Sequence, residues 1–308
     1  MIKHQLSDKT IPYIGEIPSN TYHQFCKNTY SQNGEDGIIE VLLKDLGIER
    51  GTFCEFGAGN GKDWSNTLKL IQTGNFKGIA IEPHPAMFKQ LQQNYASYSN
   101  VQIFNGMVTP TGKCSLYQWL KRGQLPLDLD ILSIDIDRDD YNVWNSLVCY
   151  HPKIVIIETN PYRDPVFEEL PGTVSVAYKD LDPLTASNTP NCKAIGCSFM
   201  STIKLGMSKG YIPIAFTGNV TFIRADLCER LSSFPYFISE NPYDYISLYT
   251  PLSMWGNKWF TNIGLITNTA IGICAQKLIC EGKVVANTND LDWNWINEKV
   301  EKELNNAA

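Results

Sequence analysis

Three groups of residues have types and spacings that can do chemistry. The first lies in "FCEFGAGNGKDWSNT" (Phe53–Thr67), where Glu55 is followed by Gly57, Gly59 and Gly61 at alternate positions, with Ala58 and Asn60 between them. Glycine lets the backbone adopt φ > 0 and approach a ligand with no Cβ in the way. A dinucleotide would want G-x-G-x-x-G, but the sixth position of that frame is Lys62, so the fingerprint is not met. The second is Glu82 in "IAIEP", whose carboxylate can accept two neighbouring hydroxyls and is followed by Pro83. The third is "SIDIDRDDY", which places Asp135, Asp137, Asp139 and Asp140 within six positions. Asp135 and Asp137 share a strand face by the period of two. Either carboxylate can act as a general base. Together with Glu158 and Asn160 they form an oxygen-rich set that suits Mg²⁺. For Asp139 and Asp140 the simpler reading is that they open the next helix and favour its positive end.

These groups need elements to position them. "GTFCEFG", "FKGIAIE", "VQIFNG", "LDILSIDID" and "KIVIIETN" read as strands, the fourth with a near-continuous apolar body that suits a strand covered on both faces. Helices are expected over "DWSNTLKLIQTG", with Leu68 and Ile71 on one face. They are also expected over "PHPAMFKQLQQNYASY", with Pro85 near its first position and Phe88, Leu91 and Tyr95 at helical spacing. "SLYQWLKRG" follows with Ser115 as its cap, then "DDYNVWNSLVCY" and "SFMSTIKLGMSKG". "YIPIAF" and "VTFIRA", joined by "TGN", read as an antiparallel hairpin. Alternation of this kind predicts an α/β fold: a three-layer sheet of seven strands, mostly parallel with an antiparallel C-terminal hairpin. The predicted organisation is a lead-in over 1–50 with a helix from Glu35 to Gly47, a ligand-binding domain over 51–230, and an aromatic-rich helical tail over 231–308. Ligands in such sheets sit at the carboxyl ends of the strands, where strand order reverses. Glu55, Glu82, Asn105 with Gly106, Asp135 and Glu158 all follow strands at that edge. His84 also lies there, to stack on a ligand or face solvent, whereas His151 precedes a strand at the wrong edge.

Composition narrows the function classes. The chain has 308 residues, 43% hydrophobic and 19% charged, with a net charge of -6 and no basic run of five, so a nucleic-acid role has no visible footprint. Nine cysteines without a CxxC pair argue against a disulfide framework and a structural zinc site, and point to a reducing, cytoplasmic setting. Cys54, inside a strand, reads as a small core hydrophobe. The N-terminus has no apolar signal-peptide region, and "IGLITNTAIGICAQKLIC" (Ile263–Cys280) is too polar to span a bilayer and reads as a core or interface helix. The aromatic tail is either a helical cap that pairs subunits into a homo-oligomer or covers the core, or a stacking platform for a ring-shaped ligand such as a sugar.

The G-x-G-x-G form with an acidic residue two before the first glycine resembles the class I, Rossmann-like S-adenosylmethionine-dependent methyltransferases. That resemblance implies Glu55 near the cofactor's cationic end, Glu82 on its ribose, Asn105 near its adenine and Asp135 at the end of strand 4. "YSQNGEDGII", "FCEFGAGNGKDWSNT", "GIAIEPHP", "LSIDIDRDDYNVW" and "IVIIETN" together resemble the FkbM-type branch, over about residues 28–225. The resemblance implies an O-methyltransferase with a small-molecule acceptor, a sugar or glycan. It puts Gln32 and Glu35 over the pocket and Ser65 and Asn66 beside the methionine end. "DIDRDD" departs from the "DVEG" of many relatives. Asp135 or Asp137 would take the acceptor's proton, with Asp135, Asp137 and Glu158 as the Mg²⁺ set. Tyr162, Arg163 and the loop Tyr178–Asn188 are acceptor contacts or plain surface. Two rivals stand beside this reading. One is an oxidoreductase using NAD or a nucleotide sugar, opposed by Lys62 in the glycine frame. The other is a non-catalytic Rossmann-like binding module, opposed by the intact glycine and Glu82 set.

Overall fold

The computed structural model describes residues 22–136, 139–159 and 197–232, together with Tyr245 and Glu298. The apolar runs pair as seven strands: β1 (Gly51–Phe56), β2 (Phe76–Glu82), β3 (Val101–Asn105), β4 (Ile131–Ile134), β5 (Ile154–Glu158), β6 (Tyr211–Phe216) and β7 (Asn219–Arg224). Their order is β3-β2-β1-β4-β5-β7-β6. β1 to β5 run parallel. The closing hairpin folds back so that β7, the later strand, lies antiparallel beside β5, and β6 forms the edge. The chain winds outward from β1 to β3 and then crosses to β4, so strand order reverses between β1 and β4. A crevice at their carboxyl ends follows from that topology.

The helices are α1 (Glu35–Leu46), α2 (Leu68–Gln72), α3 (Pro85–Asn94), α4 (Leu116–Arg122), α5 (Asp140–Ser146) and α6 (Phe199–Ser208). The period of two splits the strands between two cores. Cys54, Phe56, Leu132, Ile134, Val155 and Ile157 face α4, α5 and α6 through Trp119, Trp144 and Met200. Phe53, Ile131, Ile154 and Ile156 face α1, α2 and α3 through Ile38, Leu42, Ile71 and Leu91. Burial of every residue of β4 follows from cover on both faces. No helix among the described residues is long and apolar enough to cross a membrane.

Three local expectations need correction. β1 closes at Phe56 rather than Gly57. The helix expected over residues 63–74 is only Leu68–Gln72: Trp64 has a left-handed backbone, φ 66°, that a right-handed helix does not admit, and residues 65–67 bond to Glu55 ahead of the first turn. Ser115 occupies the N-cap of α4, but its side chain makes no cap hydrogen bond. The expectations for the N-terminal signal region, Asp137, Asn160, Tyr162, Arg163, Tyr178–Asn188, Ile263–Cys280 and the aromatic tail fall outside the described residues, except that Tyr245 is buried.

The lead-in is tied to the hairpin at the carboxyl edge. His23, fully buried, places Nε2 2.8 Å from the carbonyl oxygen and 2.9 Å from the amide nitrogen of Phe216. Glu35 Oε1 accepts from Thr217 Oγ1 at 2.6 Å and Asn219 Nδ2 at 3.2 Å. Burial pushes the Glu35 carboxyl up, so its charged form becomes a growing cost as pH rises through that raised pKa. Burial acts oppositely on His23 and lowers its pKa to about 4 from 6.5. The neutral ring is the folded form, so its contribution is complete above about 6.5 and is lost as pH falls toward 4. Over that window the shift is worth on the order of 3 kcal/mol. Denaturant titrations from pH 7 to pH 4 should therefore show a shallower acid loss for His23→Gln than for the parent protein; equal slopes would refute the assignment.

Candidate active site at the carboxyl edge of the sheet

The glycine loop leaves β1 with Gly57, Gly59 and Gly61 at φ 75°, 54° and 76°. The amides of Gly57 and Ala58 both donate to the Ile81 carbonyl of β2 at 3.1 Å, so the loop starts against the neighbouring strand. The three glycines are not equivalent. A Cβ on Gly57 would lie 1.4 Å from the carbonyl oxygen of Asp135, because the exit of β4 runs directly against it. A Cβ on Gly61 would lie 2.3 Å from Leu91 Cδ1 and 2.7 Å from Tyr95 Cε1, because the loop seats on α3. Only Gly59 has open space where its Cβ would be. The bareness of Gly57 and Gly61 thus has internal causes, and Gly59 is the position that leaves room for something else.

Glu82 ends β2 beside that position. Its Oε2 accepts the Gly59 N–H at 2.8 Å and its Oε1 accepts the His84 N–H at 2.7 Å. The carboxylate is 6% exposed and braces the loop from below. Pro83 is exposed beside it. His84 resolves as the N-cap of α3, its ring accepting from the Met87 amide, with Pro85 following at the first helical position. Asn105 Nδ2 donates to the carbonyls of Glu82 at 2.8 Å and Pro83 at 3.2 Å, and the Gly106 amide donates to the Glu82 carbonyl at 3.2 Å. The ends of β1, β2 and β3 are thereby locked together around one carboxylate.

Glu55, near the end of β1, is held by the residues that precede α2. Its Oε2 accepts from Ser65 Oγ at 2.9 Å and Thr67 Oγ1 at 2.6 Å, and its Oε1 accepts the Asn66 N–H at 2.7 Å. Asn66 Nδ2 continues to Ser133 Oγ of β4 at 3.0 Å. Burial pushes the Glu55 carboxyl up, and the hydrogen bonds from Thr67, Asn66 and Ser65 counter it. Ser65 and Asn66, expected beside the cofactor, are buried in this cluster. Asn60 shapes the loop tip: its Oδ1 accepts the amides of Lys62 and Asp63, each at 2.9 Å. Gln32 is half-buried and its carbonyl accepts from Asn28 Nδ2 at 3.0 Å. Asp36 went unnoticed in the sequence. Its Oδ2 accepts the amides of Thr29, Tyr30 and Ser31 at 2.8, 2.6 and 2.9 Å and so sets the turn that carries Gln32. An acidic residue in the first turn of an expected helix was the only signal for it.

At the end of β4, Asp135 is half-buried and its amide donates to the Phe56 carbonyl at 3.3 Å. Asp140, 1% exposed, accepts the Ile136 N–H at 2.8 Å, and Asp139 accepts from Asn142 Nδ2 at 2.7 Å. Burial raises the Asp139 carboxyl. Both aspartates therefore shape the entry to α5, as the simpler reading held. Glu158 is half-buried at the end of β5, in register with Asn219. Asp137 lies outside the described residues. Among the described residues no group of three His, Cys, Asp or Glu could hold a metal ion. A cavity of about 350 Å³ lies elsewhere, along the seam of α1 and α2 between Asp36, Leu43, Asn66 and Thr73. None of the glycine loop, Glu82 or Asp135 lines it, so it is a separate feature from the crevice.

No family model matches the chain. No curated protein matches it either. Solved structures do. The N-terminal domain of EvdMO1 with SAH bound is 10% identical, with 63% of this chain and 80% of that chain covered at a TM-score of 0.38. The CurJ carbon methyltransferase is 10% identical, with 61% and 52% covered at a TM-score of 0.40. An O-methyltransferase family protein from Burkholderia thailandensis is 10% identical, with 61% and 57% covered at a TM-score of 0.34. Likeness this distant carries no argument about residues, which must stand on their own geometry.

That geometry separates two substitutions in one loop. Gly57→Ala drives a methyl into the Asp135 carbonyl and should cost more than about 3 kcal/mol in denaturant unfolding. Gly59→Ala meets no atom and should cost only the left-handed backbone penalty, about 1–2 kcal/mol. Equal losses would overturn the distinction.

Proposed function

We propose that this chain is an S-adenosylmethionine-dependent methyltransferase that methylates a hydroxyl of a small molecule, a sugar or glycan. One observation carries the reading: the Gly59 amide and the Glu82 carboxylate meet at 2.8 Å where β1 and β2 end, beside the reversal of strand order. An open glycine next to a carboxylate suits a ligand with a ribose and no phosphate. The Glu82 oxygens accept the Gly59 and His84 amides, and a carboxylate in that place has the acceptor chemistry that a ribose diol calls for. Gly57, Ala58, Gly59, Asn60 and Gly61 supply the main chain along the ligand. Asn105, Gly106 and Pro83 border the adenine end, and Gln32, Ser65 and Asn66 the methionine end. Glu55 acts on that end indirectly, through its bonds to Ser65 and Asn66.

The cofactor supplies an electrophilic methyl group on a sulfonium. The protein's task is alignment, worth up to about 7–11 kcal/mol when two reactants are held in line. Asp135, at the exit of β4, and Asp137, two residues on in the sequence, are the carboxylates assigned to the acceptor's proton. The quoted motifs of the FkbM-type branch support oxygen as the methylated atom and a sugar as its bearer. No step is assigned to Mg²⁺.

Two measurements test the proposal. Thermal shift and calorimetric titration with S-adenosylmethionine, S-adenosylhomocysteine and NAD should show binding of the first two only, and Glu82→Ala should weaken it by about tenfold or more. Binding of NAD alone would reverse the reading. With labelled cofactor and a panel of hydroxylated acceptors, Asp137→Asn should lower kcat by about a hundredfold or more while cofactor affinity holds. Full turnover in that variant would remove the base assignment.

A further inference from the structure

Trp64 is out of keeping with its surroundings. It is 65% exposed, in a loop whose next three residues are buried. Its backbone sits at φ 66°, and the only other non-glycine residue with positive φ among the described residues is Gln124. A bulky side chain in the left-handed region is a strained choice, costing on the order of 1–3 kcal/mol. Leaving an indole in water forfeits the burial that large aromatics usually supply. Folding gains from neither feature.

The loop holds that side chain in place from both sides. Upstream, Asn60 Oδ1 accepts the amides of Lys62 and Asp63, and Asn60 Nδ2 donates to Asp63 Oδ2 at 2.7 Å. The Asn60 carbonyl is in turn fixed by Asn94 Nδ2 at 2.9 Å. Downstream, Glu55 grips Ser65, Asn66 and Thr67. Trp64 is the residue between these two anchors, so its outward projection is built in. A pre-positioned aromatic loses little freedom when a partner arrives. It stands five residues after Gly59, on the same β1–α2 loop at the carboxyl edge.

We propose that Trp64 is the acceptor platform of the site: the indole face takes the C–H face of a pyranose ring, and the polar groups of Lys62 and Asp63 beside it meet the ring's hydroxyls. This inference rests on the methyltransferase reading for what happens to the ring, but the binding step is independent of it. A sugar ring with one apolar face and a polar rim matches an exposed indole flanked by an ammonium and a carboxylate, whereas an open-chain polyol offers no such face.

The test reads Trp64 directly. The emission of Trp64 is obtained as the difference between the full-length protein and its Trp64→Phe variant, which removes the other six tryptophans of the seven from the signal. Titration with a panel of methyl pyranosides at millimolar concentration, with S-adenosylhomocysteine present, should shift that emission for at least one sugar. Sorbitol at equal concentration should leave it unchanged. Trp64→Gly should weaken calorimetric binding of the responding pyranoside by about tenfold or more while the variant's Tm is equal to or above the parent's, because glycine relieves the left-handed strain. S-adenosylmethionine affinity should stay within about twofold in every Trp64 variant. A panel-wide silence, an equal response to sorbitol, or unchanged sugar affinity in Trp64→Gly overturns the platform. Failure of S-adenosylmethionine to bind the parent protein overturns the methyltransferase reading instead, and leaves the emission result to decide on Trp64.

Discussion

A carboxylate shut inside the sheet must be supplied with hydrogen bonds, and the Glu55 carboxylate imposes that constraint on everything that follows β1. Its desolvation costs several kcal/mol unless donors converge on it. The donors are two hydroxyls and one amide from three consecutive residues, Ser65 to Thr67. Ser65 Oγ also accepts the amides of Thr67 and Leu68 at 3.3 and 3.0 Å, and α2 begins at Leu68 directly after this cluster. Asn66 carries the same network to Ser133 of β4, across the place where the strand order reverses. One buried carboxyl group thus ties the β1–α2 loop to its strand and, through Asn66, to the join between the two halves of the sheet.

The glycine loop shows how a motif can mix purposes. Gly57 answers to the backbone of β4 and Gly61 to the side chains of α3, while Gly59 answers to neither. A pattern of alternate glycines looks like a single device when read as text. In three dimensions it is two packing solutions around one open position. The Glu82 carboxylate accepts the amide of that open position.

The layered sheet was legible because its evidence is local and redundant. β-branched runs, helical spacing at Leu68 and Ile71 or Phe88 and Leu91, and the Thr217–Asn219 turn each mark an element without reference to the rest. The carboxyl-edge positions of Glu82, Asn105 and Asp135 were legible for the same reason, since strand ends can be placed from the runs alone. Side-chain direction was not. Nothing in "FCEFG" tells whether Glu55 looks into the crevice or back into its own loop. That choice depends on Ser65 and Thr67, ten and twelve residues later. Glu35 was placed over the pocket from its position, yet its partners are Thr217 and Asn219, more than 180 residues away. Trp64 passed as a helical residue because its helix period is sound and its left-handed backbone leaves no mark in the sequence. Interactions that span the chain, or that override local propensity, are the ones a linear pattern hides.

The ties between His23 and Phe216, 193 positions apart, and between Glu35 and the β6–β7 turn have a consequence for biogenesis. A polypeptide leaving the ribosome presents the lead-in first and the hairpin late. Until the hairpin emerges, the buried histidine lacks its bonds to Phe216 and the buried glutamate its bonds to Thr217 and Asn219. The tie between lead-in and hairpin therefore closes only once the last two strands of the sheet have been made. A nascent chain stalled before residue 211 would contain the glycine loop and Glu82 but lack the hairpin partners of His23 and Glu35.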